Sequence, residues 1–300
     1  MLCNACPFEC GVDRSKELGV CRASDVIEVS QAQLHHWEEP PISGTRGSGA
    51  VFFTHCNLAC KFCQNHEISQ AARDITHLVS PKWDCVPSDK LAALMLSLKQ
   101  QAAHNINLVT PTHYSEQLIP VLEAARPRLG IPVVWNSNAY EKADTLRRLE
   151  GLVNVYLPDF KYWSDELARK CSRAPNYRKH ASSAILEMFR QTGRPKHDEA
   201  GIIQRGTIIR HLILPGHADD SKRILEWIAD AFGADVPVSL MAQYYPVHRS
   251  HELPGMNRRL EPGEYEEVLE HFHKLGLEGF TQQLSSATRD YTPTFDGKGL

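Results

Sequence analysis

Between residues 50 and 280 short apolar runs alternate with amphipathic helical periods, and this rhythm limits the available folds more than any other feature. The runs at 50–54, 106–110, 132–135, 153–157, 207–214 and 236–242 are rich in β-branched residues and alternate only weakly. That is the pattern of parallel strands covered on both faces. Between them, apolar residues recur at helical spacing. Leu91, Leu94, Met95, Leu98 and Ala102 follow the capping signal Pro87-Ser88. The others are Leu118/Ile119/Leu122/Ala125, Ala181/Ile185/Met188/Phe189, Ile224/Leu225/Ile228/Phe232 and Tyr265/Val268/Leu269/Phe272, with a short strand expected near 277–280. Strand–helix units in series build a parallel sheet with right-handed crossovers, either doubly wound or curled into a full or partial (β/α) barrel. In both, chemistry belongs at the C-terminal strand ends.

The 300 residues, 42% of them apolar, suffice for a substantial core. Thirty-six acidic against 33 basic side chains leave a net charge of −3, so neither nucleic acid nor an anionic membrane is an expected partner. No apolar run approaches the ~20 residues of a membrane span. The start Met1-Leu2-Cys3-Asn4 has no basic or apolar leader pattern, so a cytoplasmic location is expected. In a reducing compartment, nine cysteines with seven in the first 63 residues indicate metal binding rather than disulfides. Cys85 and Cys171 stand alone and read as small buried apolar side chains. The Pro/Gly-rich passage 39–49 reads as a linker, which divides the chain into a cysteine-rich segment with linker (1–45), a barrel (46–284) and a polar tail (285–300).

Directly after the first run of the barrel come Cys56, Cys60 and Cys63, a C-x3-C-x2-C triplet. A structural zinc site is closed by four ligands, and a [4Fe–4S] cube needs four. Three thiolates therefore suggest an iron with an open coordination position. With Phe62 before the last cysteine, the triplet resembles the signature of the radical S-adenosylmethionine (SAM) superfamily. The resemblance implies a partial (β/α)6 TIM-like barrel, within an α/β fold class, and a [4Fe–4S] cluster whose open iron is chelated by the amino and carboxylate groups of SAM. It further implies reductive cleavage of SAM to a 5′-deoxyadenosyl radical. The rival readings are a zinc knuckle with His55 or His66 as fourth ligand, and a plain electron-transfer cluster.

Over roughly residues 1–290 the chain is similar to the group described as like pyruvate formate-lyase activating enzymes. The segments that carry this are 107–113, 156–163 (with Asp159, Lys161, Tyr162 and Trp163), 209–216 (with Arg210 and His211) and 241–246. Each ends a candidate strand, so all point to one rim. That likeness implies a flavodoxin or ferredoxin reductant and a glycyl residue of a partner enzyme as the protein substrate. After the second strand the superfamily usually carries a Gly-Gly-Glu stretch, whereas here Thr110 and Thr112 offer only hydroxyls and carbonyls to SAM's ammonium. Asn136 and Asn138 suit ribose hydroxyls or the methionine carboxylate. Asp159 and Lys161, spaced i, i+2, share one face of an extended backbone; the first suits ribose hydroxyls, the second a carboxylate. Arg210 or His211 must face the lumen, and a buried guanidinium there needs an anion, either SAM's carboxylate or an acidic side chain. Gln243 to Tyr245 would flank the adenine.

Cys3-x2-Cys6-x3-Cys10-x10-Cys21 supplies four further thiolates, enough to saturate a zinc ion or a second iron–sulfur cluster. So small a segment has no core of its own, so a metal is expected to hold its shape. Polar, exposed loops tilt the choice toward zinc.

Overall fold

The computed structural model describes residues 2–70 and 84–300. In chain order the elements are β1 (Glu28–His35), α1 (Pro40–Ser43), β2 (Ser48–Phe53), α2 (His66–Ser69), β3 (Asp84–Cys85) and α3 (Ser88–Gln100). There follow β4 (Ile106–Val109), α4 (Ser115–Leu129), β5 (Val133–Ser137), α5 (Ala143–Arg147), β6 (Val155–Pro158), α6 (Asp165–Ser172) and α7 (Tyr177–Thr192). The rest are β7 (Lys196–His197), β8 (Ile203–Thr207), β9 (Ile209–Leu212), α8 (Ala218–Phe232), β10 (Val238–Met241), α9 (Pro262–Lys274) and β11 (Gly279–Thr281).

Strands β2, β4, β5, β6 and β8 pair in parallel, as do β9, β10 and β11. The strand expected over 207–214 is broken at Ile208. Its first part, β8, bonds to β6 and its second, β9, bonds to β10. The break does not part the sheet, because the Ile208 N–H still reaches the Tyr156 carbonyl at 3.0 Å and the Phe160 N–H reaches that of Arg210 at 2.8 Å. The result is one curved parallel wall, an α/β partial barrel. The helical periods expected from sequence all form helices, with α8 carrying Asp219 and Asp220 in its first turn and α9 opening on a capping box between Glu261 and Glu264.

Two features lie outside the expected pattern. Residues 28–35 form β1, which pairs antiparallel with β2 although it precedes residue 46. Within the linker passage, α1 inserts Ile42 among Val134, Val155, Leu157, Ile203 and Ile208, closing the lumen near the N-terminal strand ends. Burying such a side chain fully contributes about 1.5–3 kcal/mol. The tail returns across the open side of the wall. The Ala32 N–H of β1 donates to the Lys298 carbonyl at 3.0 Å, and the Phe295 ring meets Phe52 of β2 edge-on at 5.7 Å. Gly299 permits this approach: its φ is +83°, and a Cβ there would stand 1.9 Å from the Ala32 carbonyl oxygen.

Candidate functional site

The C-terminal strand ends surround a cavity of about 790 Å³. Its wall includes Cys56, Cys60, Phe62, Cys63, Thr110, Asn136, Asn138, Asp159, Lys161 and Arg210, so it gathers all but one of the barrel residues singled out for the cluster and for the ribose and methionine parts of SAM. The exception is Thr112, which is buried with its hydroxyl donating to Glu141 Oε1 at 2.9 Å. Thr110 lines the cavity in the left-handed region, φ +61°, with its N–H on the Asn136 carbonyl at 2.9 Å. Of the stretch expected to flank the adenine, Gln243 is in the wall, whereas Tyr244 lies buried behind Phe62 and Tyr245 does not line the cavity.

The cysteine loop leaves β2 through His55, also left-handed at φ +64°. The last carbonyls of a helix lack partners within it. In α6 they serve the loop: the Ala59 N–H donates to Ser172 O (3.1 Å) and the Lys61 N–H to Cys171 O (2.8 Å). Asn138 Nδ2 approaches Cys56 Sγ at 3.4 Å, Ser172 Oγ approaches Cys60 Sγ at 2.9 Å, and Ser69 Oγ approaches Cys63 Sγ at 3.2 Å. Burial, reinforced by neighbouring Cys60, pushes the Cys63 thiol up to about 11. His55 Nε2 pairs with Glu28 at 3.1 Å. His66 Nδ1 bonds to the Cys63 carbonyl, also at 3.1 Å, and its ring stacks on His248. Among the described residues no three His, Cys, Asp or Glu side chains close around a single-ion position. Three soft thiol donors on one cavity wall, each with a polar neighbour at its sulfur, fit an iron–sulfur cube that takes its remaining bond from a guest molecule.

Beside the thiols lies a buried ion network. Lys161 Nζ contacts Asp159 Oδ2 at 2.7 Å, and Arg210 Nε contacts Asp159 Oδ1 at 2.7 Å. Arg210 also reaches Glu38 Oε2 at 3.1 Å and Asn136 Oδ1 at 2.6 Å. Glu38 Oε1 in turn accepts from Asn107 Nδ2 (2.9 Å) and Asn136 Nδ2 (3.2 Å). Burial works against ionisation of Asp159, but Arg210 and Lys161 outweigh it and hold its carboxyl below the ordinary value. Glu38 goes the other way: burial dominates and raises it despite Arg210. Of the adjacent pair in β9, Arg210 is the residue in the cavity wall. His211 instead bonds Phe160 O (2.7 Å) and Ser221 Oγ (2.8 Å).

Sequence reasoning did not find Glu38, Asn107, Ser69 or Ser172. For Glu38 the available signal was the acidic pair Glu38-Glu39 ahead of Pro40-Pro41. The tail also enters the site: Ser285, Ser286, Tyr291, Thr292 and Pro293 line the cavity, with the Tyr291 ring edge-on to Trp37 at 5.3 Å.

The four N-terminal cysteines lie outside the cavity wall, and Cys21 packs in the same core as Val29 and Val51. A reciprocal pair of bonds, Cys3 N–H to Val12 O (2.9 Å) and Gly11 N–H to Cys3 O (3.0 Å), folds the chain back at its start. Cys6 and Cys21 are buried, Cys3 and Cys10 half-buried. Burial pushes the Cys6 thiol up to about 12, with smaller contributions in the same direction from Cys21, Cys10 and Cys3. Thr145 Oγ1 donates to Ala5 O at 3.0 Å and Phe8 packs edge-on against Tyr140, fastening this segment beside α5.

A model of the radical SAM superfamily matches residues 50–228. The chain is 33% identical over 280 residues to the uncharacterized protein MJ0674 of Methanocaldococcus jannaschii, covering 92% of this chain and 75% of that one. Among solved structures it is similar to Streptococcus suis SuiB bound to S-adenosylmethionine, with a TM-score of 0.51 and 13% identity over 78% of this chain. The chain spans half the length of SuiB. A domain of pyruvate-formate lyase-activating enzyme from Bacteroides vulgatus matches more loosely, with a TM-score of 0.42 and 15% identity, over 57% of this chain and 92% of that domain.

Proposed function

This chain belongs to the radical SAM superfamily, and from that premise we propose that Cys56, Cys60 and Cys63 hold a [4Fe–4S] cluster at which SAM is bound and reductively cleaved. The observation that carries the reading is the shared wall: three thiols and the Asp159–Lys161–Arg210–Asn136 network face one cavity. When bound, a [4Fe–4S] cluster supplies one electron to SAM, whose sulfur–C5′ bond breaks to give methionine and a 5′-deoxyadenosyl radical that takes a hydrogen atom from the substrate. The chain's residues do the rest. Asn136 offers its amide to ribose hydroxyls, Lys161 offers N–H donors to a carboxylate, and Phe62 supplies an apolar wall, while Asn138 spends its two N–H donors on Asn57 Oδ1 and Cys56 Sγ and so serves the sulfur side of the cavity. Thr110, in its left-handed turn, lends a hydroxyl to the same wall.

The electron comes from a flavodoxin or ferredoxin, and the finer reading is hydrogen abstraction from a glycyl residue of a partner enzyme. What supports it is the likeness of the Asp159–Lys161 segment to the activating enzymes. A small-molecule or peptide substrate is the second reading, favoured by the tail residues that line the cavity. A reducing, cytoplasmic location is proposed from the cysteine pattern, seven of nine lying in the first 63 residues at metal-ligand spacings. No helix among the described residues is long and apolar enough to cross a membrane. For Cys3, Cys6, Cys10 and Cys21 we propose a second metal site, zinc or a second iron–sulfur cluster, that forms only when the four thiols draw together around the metal.

Anaerobic reconstitution of the full chain, with counts of iron, sulfide and zinc and an assay of methionine and 5′-deoxyadenosine release, tests this. Cys60→Ala should abolish cleavage and leave the N-terminal metal bound; retained cleavage refutes the site. Deuterium transfer into 5′-deoxyadenosine from a glycyl-labelled partner separates the two substrate readings.

A further inference from the structure

Each sulfur of the triplet has its own side-chain donor, and the donors come from three different parts of the fold. Asn138 follows β5, Ser172 ends α6 and Ser69 ends α2. The Ser172 hydroxyl is itself backed by the buried Tyr162 hydroxyl. We propose that Ser172, supported by Tyr162, is a positioning residue that sets the reduction potential of a cluster held by Cys56, Cys60 and Cys63, with Asn138 and Ser69 serving the other two sulfurs. The proposal rests on the cluster assignment above.

A thiolate bound to iron has no proton to give, so the hydroxyl at 2.9 Å from Cys60 Sγ must be the donor. With its own O–H directed at sulfur, Ser172 Oγ keeps a lone pair that accepts the hydrogen bond of the Tyr162 hydroxyl. The Tyr162 ring is fixed between Phe62 and Tyr177, at 6.5 and 5.2 Å. Hydrogen bonds to cluster sulfurs favour the more negative, reduced state and so raise the potential. The backbone bonds from Ala59 and Lys61 to the end of α6 keep the loop in place independently of the hydroxyl, so Ser172→Ala removes a donor without releasing the loop.

The test is an EPR-monitored redox titration of the full chain, reconstituted anaerobically, with iron and sulfide counted first. Ser172→Ala at wild-type iron content should lower the midpoint, making the reduced-to-oxidised ratio at the wild-type midpoint roughly tenfold smaller, or about 59 mV for one electron. Ser172→Thr should restore it, and Tyr162→Phe should shift it less in the same direction. An unmoved midpoint in fully loaded Ser172→Ala overturns the proposal. Should that variant fail to load, Tyr162→Phe decides, because it leaves Ser172 in place and an unmoved midpoint is again fatal. Absence of iron and sulfide from the wild type overturns the cluster assignment itself.

Discussion

Replacing Arg210 by methionine isolates the energetics of the buried network from its chemistry. The guanidinium faces Asp159 and Glu38, and the three side chains are only 15%, 16% and 9% exposed. Removing the cation leaves two buried carboxylates short of a partner, a change that costs about 3–5 kcal/mol. For a chain this long that is about 2 °C in Tm per kcal/mol, so a fall of roughly 6–10 °C is expected at pH 8. The sign of the pH dependence follows from the carboxyls. In the wild type the folded pKa of Asp159 is lowered, so its contribution is present above the unfolded value and lost as pH falls through the folded one. Without Arg210, burial of Glu38 goes unopposed by that cation and Asp159 is left with Lys161 alone, so both carboxyls move upward and protonation at pH 5 relieves the variant. Thermal melts of both proteins at pH 5 and pH 8 should show the larger gap at pH 8. A loss under about 2 °C, or an equal gap at both pH values, would refute the argument.

Two further outcomes are expected. Phe295→Ala should cost about 3 kcal/mol by emptying the buried contact with Phe52, and limited proteolysis should cut the tail sooner; an unchanged cleavage rate would mean that Phe295 does not anchor the tail. Burial raises the Glu141 carboxyl against the hydrogen bonds of Ser137, Trp135 and Thr112, so its contribution is present below the unfolded value and lost as pH rises through the folded one. Glu141→Gln should therefore gain on the wild type in urea melts between pH 5 and pH 8, and a gap that narrows as pH rises would count against that sign.

What was legible in the sequence was what repeats locally. The parallel strands announce themselves because both faces are buried, and the triplet and Asp159–Lys161 could be placed on the rim because each follows such a run. β1 escaped because it buries Ser30 and Gln31 beside Val29 and Ala32, leaving neither an apolar run nor clean alternation. Glu38, Ser172 and the tail escaped for another reason. Their partners lie 172, 112 and more than 200 residues away in the chain, and no local period reports a contact of that range.

Under the proposed function, the carboxylate of SAM finds two cations in the wall, and their surroundings make them unequal. Arg210 already faces Asp159 and Glu38, with Glu39 also near enough to act on it. Another carboxylate approaching there would meet more negative charge than positive. Among the described acids Lys161 pairs with Asp159 alone, and it spends one of its three N–H donors on it. Lys161 is therefore the better seat for the anion, and Arg210 the fixed cation that keeps Asp159 charged and oriented. Because the network is bonded before any guest arrives, little side-chain freedom is lost on binding, so its contribution is to fix orientation more than to add affinity.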